Sequence, residues 1–310
     1  MPAARRKALK LLLERGAYAP GETVRGTVVL SLPKPLRTRG VRVYLEGSEN
    51  TSISVTRGSG KNRRTVTYTS ENRILSEGFV LFGGQGVGTL KAMGETFKSL
   101  AGTLDYPLLA AGEYEYPFEF ELPGDALPTW SGPHARVGYS LRAEVDVPVG
   151  LDLTFNGVLY VIPPESWTII PARRSERHVP GGLFGAFQAD VSMEFEFKGC
   201  PLRWKERLEG RLHIKNRSQK KIRGATVSLL AVEHAEADGY VRDTTSAILE
   251  GFFKTPNPAG AEHEVTFGFV LDPSLTPYQG DFSRVVYWLQ AELDVKFAGD
   301  PVIRLPLDLQ

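Results

Sequence analysis

The stretch GETVRGTVVLSLPKPLRTRGVRVYLEG, residues 21–47, determines the fold class of this chain. Its apolar residues recur at every second position, since Val24, Val28 and Leu30 alternate with more polar neighbours. A period of two is typical of antiparallel strands with one buried face, whereas a helix has a period of about 3.6. Pro33 marks a turn before a second run of the same kind. The stretch therefore predicts two strands of a β-sandwich.

The same pattern returns in the second half of the chain. Residues 205–231, KERLEGRLHIKNRSQKKIRGATVSLLA, align with residues 21–47 without a gap. The identical positions are Glu22 with Glu206, Gly26 with Gly210, Arg39 with Arg223, Gly40 with Gly224, Val43 with Val227 and Leu45 with Leu229. A second match follows in the same order, YSLRAEVDV at 139–147 with YWLQAELDV at 287–295. Two ordered matches indicate that one sandwich is repeated within the chain.

Two segments depart from the strand pattern. Residues 88–104, GTLKAMGETFKSLAGTL, carry apolar side chains at spacings of three and four, which predicts one amphipathic helix. The segment 163–187 is rich in proline and glycine, which favours an interdomain connection. We therefore expect an all-β protein of two tandem antiparallel β-sandwich domains, immunoglobulin-like in architecture, with one short helix in the first. The predicted bounds are 1–164 for the N-terminal sandwich, 165–187 for the linker and 188–310 for the C-terminal sandwich.

The composition excludes several classes of function. The 37 basic and 36 acidic side chains nearly cancel, so no overall field favours nucleic acid, and we expect no nucleic-acid partner. The only cysteine, Cys200, excludes an intrachain disulfide and a multi-thiolate metal site, which fits a reducing, cytoplasmic setting. The apolar run near the N-terminus ends at Glu14, too early for a signal peptide, so we expect residues 8–14 to form the first strand.

No recognisable catalytic apparatus is present in the sequence. There is no Gly-x-Ser-x-Gly motif, and Cys200 lies in a predicted turn as a structural thiol. The histidines are scattered singly, at positions His134, His178, His213, His234 and His263. Asp146 and Asp294 end equivalent strands of the repeat, which favours a structural role over acid–base chemistry. We expect no enzyme activity, no metal site and no cofactor.

A glycine-rich stretch, FVLFGGQGVGTLKAM at 79–93, has the strand–loop–helix order of a phosphate-binding site. The backbone N–H groups of Gly84, Gly86 and Gly88 would face the phosphate. The stretch lacks the last glycine of Gly-x-Gly-x-x-Gly, because Thr89 stands there, and it has no Gly-Lys-Ser/Thr ending. We interpret it as a connection into the helix, with small-ligand or nucleotide binding as an unfavoured alternative.

Two basic clusters are candidate binding sites. Residues 53–68, ISVTRGSGKNRRTVTY, predict a hairpin whose tip carries Arg57, Lys61, Arg63 and Arg64. Such a tip can bind an acidic peptide, a phosphorylated tail or anionic lipid through charge-assisted hydrogen bonds. It can also be a solvated turn that protects a strand edge. The second cluster is Arg173, Arg174 and Arg177 in the predicted linker, which either extends the same surface or keeps the connection soluble.

Several segments together resemble a known family. Four segments of the first half resemble the amino-terminal domain of arrestins, most closely of the α-arrestins. They are LLLERGAYAPGETVRGTVVL at 11–30, RGVRVYLEG at 39–47, LLAAGEYEYPFEFELPGDALPTW at 108–130 and ARVGYSLRAEVDV at 135–147. The arrestin carboxy-terminal domain is resembled by ERLEGRLHIKNRSQKKIRGATVSLLAVE at 206–233. The resemblance spans nearly the whole chain and implies an arrestin-like fold, shared with a retromer subunit and a bacterial sporulation-control protein.

The resemblance also implies a function, because members of this fold act as adaptors or scaffolds. In arrestins, the segment after the Arg-Gly-Val-x-Val strand leads to a receptor-contacting loop, a position similar to that of the basic hairpin here. Two family features are not expected: Pro163-Pro164 is followed by Glu-Ser, unlike the ligase-recruiting Pro-Pro-x-Tyr motif, and no tail-release switch follows VIRLPLDL before Gln310.

We therefore expect a non-enzymatic cytoplasmic adaptor or scaffold that binds protein segments, such as tails of membrane proteins, in trafficking, signalling or stress and developmental control. One alternative is a peripheral protein that binds anionic lipid through the basic hairpin tip. The other is a small-ligand or nucleotide-binding protein that uses the glycine-rich loop.

Overall fold

The structure is a computed structural model of the 310-residue chain. It describes residues 8–83, 106–148, 150–163, 168–171, 174–178, 190–197, 202–203, 207–257, 260–270, 276–297 and 299–309. The chain divides into two compact units. The first unit comprises Met1–Glu49, Asn72–Thr129 and Val137–Ile162, and the second comprises Asn50–Glu71, Trp130–Arg136 and Pro163–Gln310.

The strands follow the predicted period of two. Those of the N-terminal half are β1 (Ala8–Leu13), β2 (Ala17–Tyr18), β3 (Thr23–Leu32), β4 (Leu36–Arg37), β5 (Gly40–Arg57), β6 (Arg64–Phe82), β7 (Leu108–Leu109), β8 (Gly112–Glu121), β9 (Trp130–Ser131), β10 (Ala135–Asp146) and β11 (Leu153–Val161), with a 3-10 turn at Gly60–Asn62. Those of the C-terminal half are β12 (Thr168–Pro171), β13 (Arg174–His178), β14 (Val191–Phe197), β15 (Leu202–Arg203), β16 (Arg207–Asn216), β17 (Ile222–Ala237), β18 (Tyr240–Asn257), β19 (Glu262–Val270), β20 (Tyr278–Gln279), β21 (Ser283–Val295) and β22 (Val302–Leu309).

Two sheets carry most of the N-terminal strands. One has the order β1-β3-β8, and β3 pairs antiparallel with β8 from Thr23 opposite Glu121 to Leu32 opposite Gly112. The other has the order β2-β11-β10-β5-β6, with β9 added beside β10. The alternating apolar residues of β3 are buried, as predicted, because they face the core while their neighbours face solvent.

The C-terminal strands form two further sheets. The larger has the order β15-β12-β22-β21-β17-β18, with β20 beside β21, and the smaller has the order β13-β14-β16-β19. The repeat is visible in the strand bounds: β16 begins and ends at the positions that align with β3. The predicted all-β class and the first strand are confirmed. The sheets are those expected of arrestin-like tandem sandwiches.

Three predictions made from the sequence are not confirmed by the described residues. The helix predicted over 88–104 lies outside the described residues. The segment predicted as a linker, 165–187, contains β12 and β13, which pair with β22 and β14. Residues Asn50–Glu71 and Trp130–Arg136 belong to the second unit, although they precede the predicted linker in sequence. The domain bounds inferred from the sequence therefore stay a prediction.

Candidate protein-binding site

The predicted hairpin at 53–68 is formed by the ends of β5 and β6 and by the 3-10 turn between them. Gly58 has φ +83°, and a Cβ at this position would lie 2.4 Å from the Asn62 carbonyl oxygen, so the turn requires glycine. The Asn62 N–H donates to the Ser59 carbonyl at 3.2 Å. These contacts give the tip a defined backbone.

The shaft of the hairpin, in the second unit, packs on the turn between β17 and β18. Buried residues at this contact share small or apolar side chains: Ile53, Ala135, Ala235 and Ala237, with Val55, Tyr68, Trp130 and Tyr240 packed around them. The Thr51 hydroxyl donates to the Glu236 carbonyl at 2.5 Å, and the Asp238 N–H donates to the Ser70 hydroxyl at 3.0 Å. The shaft is thus held by apolar contacts and by hydrogen bonds on both of its strands.

Arg57 takes part in the contact between the hairpin shaft and the β17–β18 turn. Its guanidinium group donates to the Tyr240 hydroxyl and lies 5.9 Å from the centre of that ring. The Tyr240 ring stacks on Tyr68 with a centroid distance of 3.9 Å, and hydrogen bonding with Tyr240 raises the pKa of Tyr68. Arg57 therefore helps to anchor the hairpin.

Arg63 and Arg64 differ from Arg57, although the sequence groups them together. Both are exposed, and neither guanidinium group has a hydrogen bond or an ion pair with any other described residue. The side chain of Lys61 lies outside the described residues. The tip therefore presents to solvent two guanidinium groups with no partner among the described residues, which is the donor geometry that suits carboxylates and phosphates.

The second predicted cluster is only partly described. Arg174 and Arg177 lie on β13, opposite Phe195 and Ser192 of β14. Arg173 and the side chains of the other two lie outside the described residues. A common surface of this cluster and the hairpin tip stays a prediction.

Sequence reasoning missed a buried carboxylate beside the hairpin. Glu233 of β17 is 2% exposed and accepts hydrogen bonds from the Trp130 indole N–H at 2.9 Å and from the His134 backbone N–H at 2.8 Å. At Gly132 a Cβ would lie 1.7 Å from the Glu233 carboxylate, so a larger residue at this position would displace the Glu233 side chain from its donors. One acidic residue in the apolar run SLLAVEHA was the available signal, because a buried carboxylate requires donors.

A cavity of about 460 Å³ lies between the hairpin shaft and residues 131–136. Most of its lining residues carry polar side chains, among them Ser52, Thr69, Ser70, Glu71, His134 and Arg136. The Arg136 side chain is exposed and makes no ion pair within the described part of the chain. The His134 ring nitrogen Nδ1 lies 3.3 Å from the Ser52 carbonyl. The cavity can therefore offer hydroxyl groups, one cation and one carboxylate to a polar chain.

The histidines, the cysteine and the glycine-rich loop that the sequence singles out are described only in part. Among them, no group of three or more His, Cys, Asp or Glu side chains is placed to hold a metal ion. His213 lies 2.8 Å from Glu196, and His234 lies 2.7 Å from Asp243, both as exposed pairs on sheet surfaces. Cys200 and Gly84–Gly88 lie outside the described residues. A search of the described helices finds none with the length and apolar character needed to cross a membrane.

Comparisons with known proteins agree with the geometry. The family described as "Arrestin (or S-antigen), N-terminal domain" matches residues 10–167. Arrestin domain-containing protein 1 of Mus musculus is 28% identical over 53% of this chain and 31% of its own length. Arrestin domain-containing protein 4 of Mus musculus is 27% identical over 64% of this chain and 46% of its own length. Arrestin domain-containing protein A of Dictyostelium discoideum is 23% identical over 98% of this chain and 51% of its own length. The chain thus spans about a third to a half of the length of these relatives.

Proposed function

Because this chain belongs to the arrestin family, we propose that it is a non-enzymatic cytoplasmic adaptor that binds segments of other proteins through its basic hairpin. Relatives named for their arrestin domains support an adaptor or scaffold role in trafficking or signalling. The partner class that we favour is an acidic or phosphorylated segment, such as the tail of a membrane protein.

This proposal rests on a difference between the arginine side chains of the basic hairpin. Arg57 is bonded to Tyr240, whereas Arg63 and Arg64 have no partner among the described residues. A hairpin held by its shaft orders the tip before a partner binds, which lowers the entropy lost on binding. Unpaired guanidinium groups on an ordered turn bind an acidic segment with two or more charge-assisted hydrogen bonds.

The test is a double variant, Arg63→Glu and Arg64→Glu, compared with wild type in affinity capture from native lysate and quantitative mass spectrometry. The control is Lys215→Glu with Arg217→Glu, the same change of charge on and just after β16, in the four-stranded sheet of the C-terminal half. We expect the tip variant to lose the main captured partners by on the order of ten-fold, and the control to keep them. Equal capture by both variants would show that the tip is not the binding surface.

The same exposed tip favours a second candidate function, binding to anionic lipid. Co-sedimentation with phosphatidylserine vesicles, with wild type and the tip variant, separates the two. Loss of vesicle binding with unchanged protein capture would favour the lipid function. Absence of vesicle binding by the wild type would leave the protein-binding function alone.

A further inference from the structure

Strand β18 lies at the end of its sheet. It pairs with β17 on one side, and within the described ranges no strand pairs with its other side. Such an edge exposes backbone N–H and C=O groups that can pair with another chain, and proteins commonly block it with a bulge or a proline. In β18 both devices are present, but only at the two ends of a short stretch.

The first device is a bulge and the second is a proline. Leu229 of β17 pairs with Leu249, but Leu230 pairs with Ala247, so Ile248 is an extra residue in β18. Pro256 has no N–H group to donate. A second register shift places an extra residue at Thr255–Pro256, since Ile222 pairs with Asn257 and Gly224 with Lys254. The edge between the two bulges, residues 249–254, is free of both devices.

The open stretch is symmetric in its charges. Glu250, Phe252 and Lys254 alternate along the strand on one face, and all three are exposed. Phe252 is the midpoint, with Glu250 two residues before it and Lys254 two residues after it. Antiparallel pairing of two such strands about Phe252 places Glu250 of each copy opposite Lys254 of the other. It also places the bulged Ile248 opposite Pro256, so both ends of the paired stretch coincide.

The side chains on and behind this face leave the pairing unobstructed. Within the described part of the chain, Glu250 accepts one long hydrogen bond, 3.3 Å, from the Ser228 hydroxyl, and Lys254 makes no ion pair. On the opposite face, the same register places Gly251 of one copy opposite Phe253 of the other. Within each copy the Phe253 ring already packs against Gly251, where a Cβ would lie 3.1 Å from the ring, so the charge pairs of the other face set this register.

We propose that this protein forms a homodimer in which residues 250–254 of two copies pair antiparallel about Phe252. The two large sheets then continue into one another. This proposal is independent of the hairpin function. A second copy is the occupant that this edge fits, because the bulge, the two charges and the proline are all placed symmetrically about one residue.

The test uses charge reversal and sedimentation velocity over a range from low to high micromolar protein. Glu250→Lys opposes lysine to lysine at both symmetric pairs, and Lys254→Glu opposes glutamate to glutamate. We expect each single variant to raise the dimer dissociation constant by on the order of ten-fold or more. An equimolar mixture of the two variants restores both attractive pairs, so it forms a heterodimer about as tight as the wild-type dimer. The double variant with both substitutions restores the homodimer.

The control reverses a charge in another cross-strand pair of the same unit, through Lys215→Glu on β16 or Glu262→Lys on β19. In this pair Lys215 Nζ lies 3.0 Å from Glu262 Oε1. These variants keep the wild-type dissociation constant. The proposal is overturned if the wild type is monomeric throughout, whether or not another protein's strand binds the edge. It is also overturned if the single variants dimerise like the wild type, or if the mixture fails to restore association.

Discussion

Gly26 of β3 lies opposite Phe118 of β8, and the aligned Gly210 of β16 lies opposite Phe267 of β19. A Cβ at either glycine would lie 2.6 Å from the facing ring. It would also lie 2.5 Å from a carbonyl oxygen of β1 at Gly26 and 2.8 Å from one of β14 at Gly210. Both halves of the repeat therefore use glycine to let an aromatic ring lie flat across a central strand.

The ion pairs of the two halves differ more. Asp146 accepts from Arg39 at 2.6 Å and from Arg42 at 2.9 Å, and its side chain is 15% exposed. The equivalent Asp294 binds Arg223, and its side chain is 34% exposed. A threonine occupies the position that aligns with Arg42. These contacts agree with the expected structural role of both aspartates. The two halves of the repeat thus keep the same backbone packing while their surface charges differ.

The buried tyrosines of the second repeat match also differ. The Tyr139 hydroxyl donates to the Leu127 carbonyl at 2.6 Å. The equivalent Tyr287 hydroxyl is buried and has no hydrogen-bond partner among the described residues. Burial raises the pKa of both hydroxyls far above the ordinary tyrosine value.

The largest expected effect tests the shared glycines. Gly26→Ala and Gly210→Ala should each lower the free energy of unfolding by about 1–3 kcal/mol, because the added methyl group displaces a ring and a backbone carbonyl. Denaturant unfolding of each variant measures the loss. The control is Gly112→Ala at the exposed start of β8, where the nearest neighbouring atom would be 4.0 Å away. A loss at only one of the two glycines would break the equivalence of the halves.

The next effect tests the difference between the ion pairs. Asp146→Asn should lower the free energy of unfolding by about 1–2 kcal/mol, because it leaves Arg39 without a carboxylate among the described residues and Arg42 with only Glu144, 3.8 Å away. Asp294→Asn should cost about 0–1 kcal/mol, since exposed pairs contribute little. Denaturant unfolding at low and high salt measures both, and high salt should reduce the smaller loss. Equal losses would contradict the proposed divergence.

The smallest effect concerns the tyrosines. Tyr139→Phe should cost about 0.5–1.5 kcal/mol through the lost hydrogen bond, whereas Tyr287→Phe should be neutral or slightly stabilising because it removes an unpaired buried hydroxyl. Thermal unfolding at neutral pH measures the contrast. The opposite ranking would show that Tyr287 has a bonding partner that Tyr139 lacks.

The two phenylalanine variants also test how the stability of the protein changes at alkaline pH. A raised pKa in the folded state means that the unfolded chain ionises first, so stability is full below about pH 10 and falls as the pH rises above it. Each phenylalanine variant removes one ionising group and should lose less stability between neutral and alkaline pH than the wild type. Parallel curves for wild type and variants would contradict the burial of these hydroxyls.

Much of the fold was predictable from local patterns. Alternation in β3 and β16, the aligned glycines and the hairpin at 53–68 depend on residues close in sequence, whose period and turn chemistry are sufficient. The placement of β12 and β13 was not predictable in the same way. Their segment is rich in proline and glycine, and its strands are stabilised by pairing with β22 and β14.

In the candidate site, too, the features that depend on nearby residues were predictable and those that depend on distant residues were not. The sequence located the basic tip with Arg63 and Arg64, but it could not separate them from Arg57, whose partner Tyr240 is distant in sequence.

The sequence by itself determined the all-β class, the internal repeat and the hairpin, because side-chain period and glycine placement act locally. Only the tertiary structure decided that the hairpin shaft packs on the β17–β18 turn and that Glu233 accepts from Trp130 and His134. These contacts join residues about a hundred or more positions apart, and burial of polar groups is possible only where such distant donors meet them.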